Sequence, residues 1–111
     1  MAKGYQGDVT RETAALEVSK KIVRSQLPNI ESKTWWLVRD NFRGQAYNMK
    51  ANMRAIIKVQ SDGGAKAQKA YNTFWNEVNS LDLACVKKEL DLAKKEYQDV
   101  LDALTAWENV V

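Results

Sequence analysis

Residues 65–109 read AKAQKAYNTFWNEVNSLDLACVKKELDLAKKEYQDVLDALTAWEN, a run without glycine or proline that continues unpunctuated to the chain end. Taken as one helix the stretch would extend about 70 Å, too long to pack inside a chain of 111 residues. The apolar periodicity divides it. Ala67, Tyr71, Phe74, Val78, Leu81 and Cys85 form one stripe. Continuing that stripe in register would place Lys88, Lys95, Asp99 and Asp102 in the interior. The apolar residues that follow are Leu90, Ala93, Tyr97, Leu101 and Leu104, about two residues out of phase. A shift of that size rotates the stripe by roughly 200°, which predicts a turn near Val86–Glu89. An unbroken helix in an oligomeric coiled coil is the alternative.

Upstream, the clearest stripe in the chain is Trp35, Val38, Phe42, Ala46, Met49, Met53, Ile56 and Gln60, at helical spacing. Ser61-Asp62-Gly63-Gly64 stops it, with glycine available for a left-handed cap. Before it, Leu16, Val23 and Leu27 recur behind the candidate N-caps Asp8 and Thr10, and Pro28-Asn29 ends that segment. Helices are therefore expected near 9–27, 30–61, 65–86 and 89–109. Short connections make them an all-α, up-and-down antiparallel four-helix bundle. Residues 1–111 are expected to form a single domain, with residues 1–8 a flexible N-terminal segment. The predicted core comprises Leu16, Val23, Trp35, Phe42, Met49, Met53, Phe74, Val78, Leu81, Tyr97, Leu101 and Leu104.

The inventory of reactive groups is thin. The chain has no histidine and a single cysteine, Cys85. Serine–histidine and cysteine–histidine catalysis both need the imidazole, and structural zinc needs several Cys or His ligands. Neither enzymatic activity nor a metal or other cofactor is expected. Cys85 lies among Leu81, Leu83, Ala84 and Val86, the setting of a small core hydrophobe; a reactive thiol is the other reading. Asp99 with Asp102, and Glu89 with Asp91, alternate with lysines in a helical pattern and read as solvated surface. No apolar run is long enough to span a membrane. Met1-Ala2-Lys3-Gly4 has no apolar stretch behind it. The chain therefore reads as cytosolic, or as a mature form whose targeting peptide has been removed.

Charge is unevenly spread. Residues 1–75 hold thirteen Lys/Arg against six Asp/Glu, net +7; residues 76–111 hold four against eight, net −4. On the second helix Arg39, Arg43, Lys50 and Arg54 fall within about 60° of one another. Tyr47 lies between the two pairs, and Trp36 and Lys58 lie at the edges. Such a strip is either a solvated face, paired with the acid-rich fourth helix (Glu89, Asp91, Glu96, Asp99, Asp102, Glu108), or a docking strip for an acidic surface. Trp36 and Trp75 each stand one position off their stripes and are candidate aromatic anchors for a partner. A net charge of +3 without a reading motif argues against nucleic acid.

The run Lys33-Thr34-Trp35, Val38-Arg39, Phe42-Arg43, Ala46, Met49-Lys50, Asn52-Met53-Arg54 and Ile56-Ile57 resembles the second helix of the PsbQ family, extrinsic subunits on the lumenal face of photosystem II. Phe74, Val78, Leu81-Asp82, Ala84, Tyr97 and Leu101 are similar to that family's third and fourth helices. Red-lineage algae, diatoms included, have short divergent members of this family, and the chain resembles the small diatom member. The chain departs from the family at Lys87-Lys88-Glu89, where a proline is usual, and Cys85 is not the lipid-bearing N-terminal cysteine of cyanobacterial members.

The resemblance implies a four-helix bundle peripheral to the thylakoid membrane, in the chloroplast thylakoid lumen. It implies no enzymatic activity, but stabilisation of the manganese–calcium cluster of the oxygen-evolving complex and retention of calcium and chloride. The implied partners are the photosystem II lumenal surface and other extrinsic subunits, with the chain a monomer before docking. On that footing the strip Arg39, Arg43, Lys50, Arg54 and Lys58 is the docking surface. A generic helical protein- or nucleic-acid-binding module is the alternative function.

Overall fold

A computed structural model describes residues 8–111, so the expected flexible N-terminal segment lies, apart from Asp8, outside the described residues. Its helices are α1 (Thr10–Arg24), α2 (Leu27–Glu31), α3 (Trp35–Lys58), α4 (Ala65–Lys87) and α5 (Leu90–Val110). The four long ones pack as an all-α, up-and-down antiparallel bundle, 52 × 21 × 17 Å in extent. Cross-helix contacts give the directions. Arg39 meets Asp82 while Arg54 meets Tyr71, so α4 runs against α3. Ser19 meets Gln45, and Tyr97 on α5 reaches Gln26 and Val23 at the end of α1.

The turn predicted near residue 88 is present, and it carries no glycine. Lys88 takes the left-handed conformation (φ 57°). Its N–H donates to the Cys85 carbonyl and the Glu89 N–H to the Ala84 carbonyl, the paired bonds of a Schellman stop. The same motif recurs at residue 33, a few residues past the expected start of the second helix. Lys33 (φ 59°) donates to Ile30 and Thr34 to Asn29, ending α2 and separating it from α3. Two expected boundaries are therefore corrected. The first helix stops at Arg24 rather than at residue 27, and the second begins at Trp35 rather than at residue 30. Pro28 does not follow a helix; it sits in the first turn of α2, where its missing N–H costs nothing. Leu27, read as apolar stripe, is 38% exposed as a result, while Ile30 beyond it is fully buried.

One buried cluster draws on all five helices, from Leu16 to Trp107. Every predicted core residue belongs to it except Leu101, which is partly buried against its edge. Gln26, also buried, is fully used. Its side-chain carbonyl accepts from Asn29 and Asn41, its amide donates to the Ile22 carbonyl, and its backbone N–H donates to the Tyr97 hydroxyl. That hydroxyl donates in turn to the Val23 carbonyl. A buried polar group is tolerable when satisfied in this way, and here it fixes the register of α1, α3 and α5. The cap of α1 differs in detail from expectation: Asp8 Oδ1 accepts from the Thr10 N–H, and Thr10 is the first helical residue rather than the cap.

The end of α5 is tied to α1 by charge. Glu108 accepts from Arg24 at 2.7 and 3.1 Å, and the buried Lys20 ammonium stands 3.1 Å away. The Arg24 hydrogen bonds, with help from Lys20, hold the Glu108 carboxyl at about 2 against an ordinary 4.5. Because the folded-state value is the lower one, this stabilisation is complete above pH 4.5 and is lost as pH falls from there towards 2. Partial exposure of the pair limits it to about 1–2 kcal/mol. Urea titrations across that interval are expected to show a decline that Glu108→Gln flattens; a mutant that keeps the wild-type acid slope would dismiss the pair.

Candidate docking face on helix α3

Helix α3 presents its apolar side (Trp35, Val38, Phe42, Met49, Met53, Ile56) to the core, which turns the basic strip toward the α4 boundary and solvent. The five cations of the strip are not equivalent. Arg39 is engaged within the fold: its Nε lies 2.9 Å and its Nη2 3.4 Å from the two Asp82 carboxylate oxygens. That hydrogen bond raises the Arg39 pKa and ties α3 to α4. Lys50 lies with its ammonium 4.9 Å from the centre of the Trp75 ring, within cation–π range. Arg54 donates one N–H to the Tyr71 hydroxyl at 3.0 Å and otherwise faces solvent. Arg43 is largely exposed, its only acidic neighbour among the described residues being Asp40 at 3.9 Å. Lys58 is exposed on the rim of an open groove between α3 and the start of α1, whose lining includes Asp8, Val9, Arg11, Glu12, Arg54 and Ala55. The charge available to a partner is therefore that of Arg43, Arg54 and Lys58.

The fourth amphipathic helix, α5, does not supply the acids expected to pair with this strip. Its Glu108 is taken by Lys20 and Arg24, and Asp99 and Glu96 by Lys95 of the same helix. The acid that reaches the strip from a neighbouring helix is Asp82 on α4. Nor are the two candidate anchors alike. Trp36 is 65% exposed, whereas Trp75 is 8% exposed, edge-on to Phe74 at 4.9 Å and to Tyr71 at 6.4 Å. Trp75 is thus a core residue capped by Lys50, not an exposed anchor. Tyr47 was noted in the sequence only as lying within the strip; at 81% exposed it is the most exposed large apolar side chain described. The signal that could have found it is its spacing of eleven residues from Trp36, three turns along the same face.

Among the described residues, Cys85 and one carboxylate cluster are the other groups to consider. Burial, then Asp82, pushes the Cys85 thiol up to about 11, which leaves it protonated and inert. Carboxylate oxygens of Glu77, Glu96 and Asp99 come within 4.8 Å of one another, but Lys95 bonds two of the three. No helix of the described residues is long and apolar enough to cross a membrane.

The described residues form a four-helix bundle that carries a cation-rich face with an exposed tryptophan and tyrosine. The family model for PsbQ, described as oxygen evolving enhancer protein 3, matches residues 5–111, and the chain belongs to that family. Among curated proteins it is similar to the chloroplastic oxygen-evolving enhancer protein 3-1 of Arabidopsis thaliana, 27% identical over 96 residues. That match covers 86% of this chain and 43% of the Arabidopsis protein, so the chain spans less than half the length of its relative.

Proposed function

We propose that this chain is a non-enzymatic extrinsic subunit of photosystem II. It docks near the oxygen-evolving complex on the lumenal face of the chloroplast thylakoid membrane. There it stabilises the manganese–calcium cluster and helps retain calcium and chloride by covering the site. Its partners are the lumenal surface of the photosystem and the other extrinsic subunits, which it meets as a monomer. Family membership supports the assignment. The observation that carries the docking mode is the division of the strip: Arg43, Arg54 and Lys58 remain outward-facing while Arg39 and Lys50 are spent on α4.

Exposed charges of this kind are screened within about 10 Å at 0.1 M salt, so attachment weakens as salt rises. Their main effect is on encounter and orientation. Reversing Arg43 and Arg54 together to glutamate is expected to weaken rebinding to salt-washed photosystem II about tenfold, read as protein retained and oxygen evolution restored. Helicity and melting temperature should hardly change. Reversing Lys94 and Lys95 on α5 should do much less. Rebinding of the Arg43→Glu/Arg54→Glu protein at wild-type strength would make the strip a solvated face.

A further inference from the structure

Four outward residues of α3 alternate in kind: Trp36, Arg43, Tyr47 and Arg54, at intervals of seven, four and seven. At 100° per residue they fall within about 40° of one another, on a line about 27 Å long. The two aromatics are eleven residues apart and so are the two arginines. Eleven residues is close to three turns, so the line stays straight along an uncoiled helix. Trp36 and Tyr47 are 65% and 81% exposed, leaving most of two large rings without cover among the described residues.

Beside this line stands Gly44. It lies mid-helix, where glycine weakens the helix relative to alanine. Among the described residues nothing requires it: its φ is ordinary, and a Cβ built there would meet none of their atoms within 4 Å. It is the i,i+3 neighbour of Tyr47, and Ala51 and Ala55 continue the same small-residue flank past Tyr47 and Arg54. A helix that forgoes a side chain without gaining conformation or packing leaves room for another molecule's surface.

We infer that this line is a two-anchor docking site for an acidic protein surface, one that offers apolar hollows to Trp36 and Tyr47, carboxylates to Arg43 and Arg54, and close contact at Gly44. The inference rests on the docking role proposed above and adds which side chains hold the complex. Tryptophan, tyrosine and arginine are the residues on which interface energy concentrates. Charge complementarity selects the partner's sign, since the line itself carries two arginines and no acid; Asp40 flanks Arg43, and Asp8 and Glu12 border the groove beside Arg54 and Lys58. An anionic membrane would need a continuous apolar face, and here Asp40 and Arg43 interrupt it. Nucleic acid would meet two widely spaced arginines where it presents closely spaced phosphates.

The test is rebinding of the full chain to salt-washed photosystem II membranes, with titration against vesicles of phosphatidylcholine and phosphatidylglycerol in parallel. Trp36→Ala and Tyr47→Ala are each expected to weaken rebinding roughly tenfold to thirtyfold, Tyr47→Phe far less, and Leu83→Ala, on an exposed face of α4, not at all. Gly44→Ala should raise the melting temperature by a few degrees while weakening rebinding, a divergence that a purely structural glycine would not produce. Wild-type rebinding with Trp36→Ala and Tyr47→Ala unaffected would overturn the two-anchor site and leave the photosystem role standing. Failure of the wild-type chain itself to rebind would overturn that role. Equal affinity for the vesicles would replace the protein partner with a lipid surface and equally refute the inference.

Discussion

Trp107→Ala is expected to destabilise the fold by about 3–5 kcal/mol, lowering the thermal midpoint by roughly 15–20 °C. The side chain is the largest of those fully buried, and the next residue, Glu108, clamps α5 to α1. The surroundings of a ring adjoining that clamp cannot collapse without releasing it, so the cavity cost adds to the lost transfer energy. Trp107→Phe should cost well under half as much. It keeps most of the apolar volume and removes an indole N–H that has no hydrogen-bond partner among the described residues. Trp36→Ala, the same change at a 65% exposed site, should stay within about 0.5 kcal/mol. Denaturant unfolding of the three proteins checks the series. A Trp107→Ala midpoint close to wild type would mean that α5 is not anchored at this end.

The tryptophans also show where reading the sequence succeeds and where it stops. Trp36 and Trp75 occupy equivalent positions in their patterns, one residue past a core aromatic and therefore about 100° around the helix. Periodicity cannot separate them. What separates them is position along the helix. Helical side chains lean toward the N-terminus, so Trp36, second residue of α3, projects past the helix start. Trp75 lies mid-helix beneath Lys50.

Helix stops divide in the same way. The turn near Val86–Glu89 is legible although its left-handed residue is a lysine, because the phase of the apolar stripe jumps across it. Lys33 uses the identical motif and was missed, because the only phase signal is Ile30. In a continuous helix that residue would point about 140° away from Trp35, and one residue is a weak stripe. The basic strip was legible as a set of positions. Its internal partner was not, because Asp82 is forty-three residues away from Arg39 and only the packing of α3 on α4 brings them together.

The α3–α4 turn rests on two adjacent glycines whose replacement by alanine should have very different consequences. Both hold left-handed backbone, φ 74° at Gly63 and 86° at Gly64. Any Cβ there costs about 1–2 kcal/mol. At Gly63 the space is open and that is the whole cost. At Gly64 the added carbon would stand 2.6 Å from Ile57 Cγ2 and 2.7 Å from the Ile57 carbonyl oxygen. The methyl can rotate away, but the carbonyl belongs to the last turn of α3 and cannot move without shifting the helix end. Gly64→Ala is therefore expected to cost about 3–4 kcal/mol in all.

The function is exposed to the same change. Gly64 starts α4, with its N–H bonded to Asp62 and its carbonyl accepting from Gln68. Displacing it moves Tyr71 and Trp75 relative to Arg54 and Lys50, the strip cations that these two side chains hold. Gly64→Ala should thus lose the rigid presentation of Arg54 as well as stability, and rebind salt-washed photosystem II more weakly than Gly63→Ala at a temperature where both remain folded. Equal stability of the two alanine variants would show that the end of α3 yields freely, and the register of α3 on α4 would then have to be set by the Arg39–Asp82 pair instead.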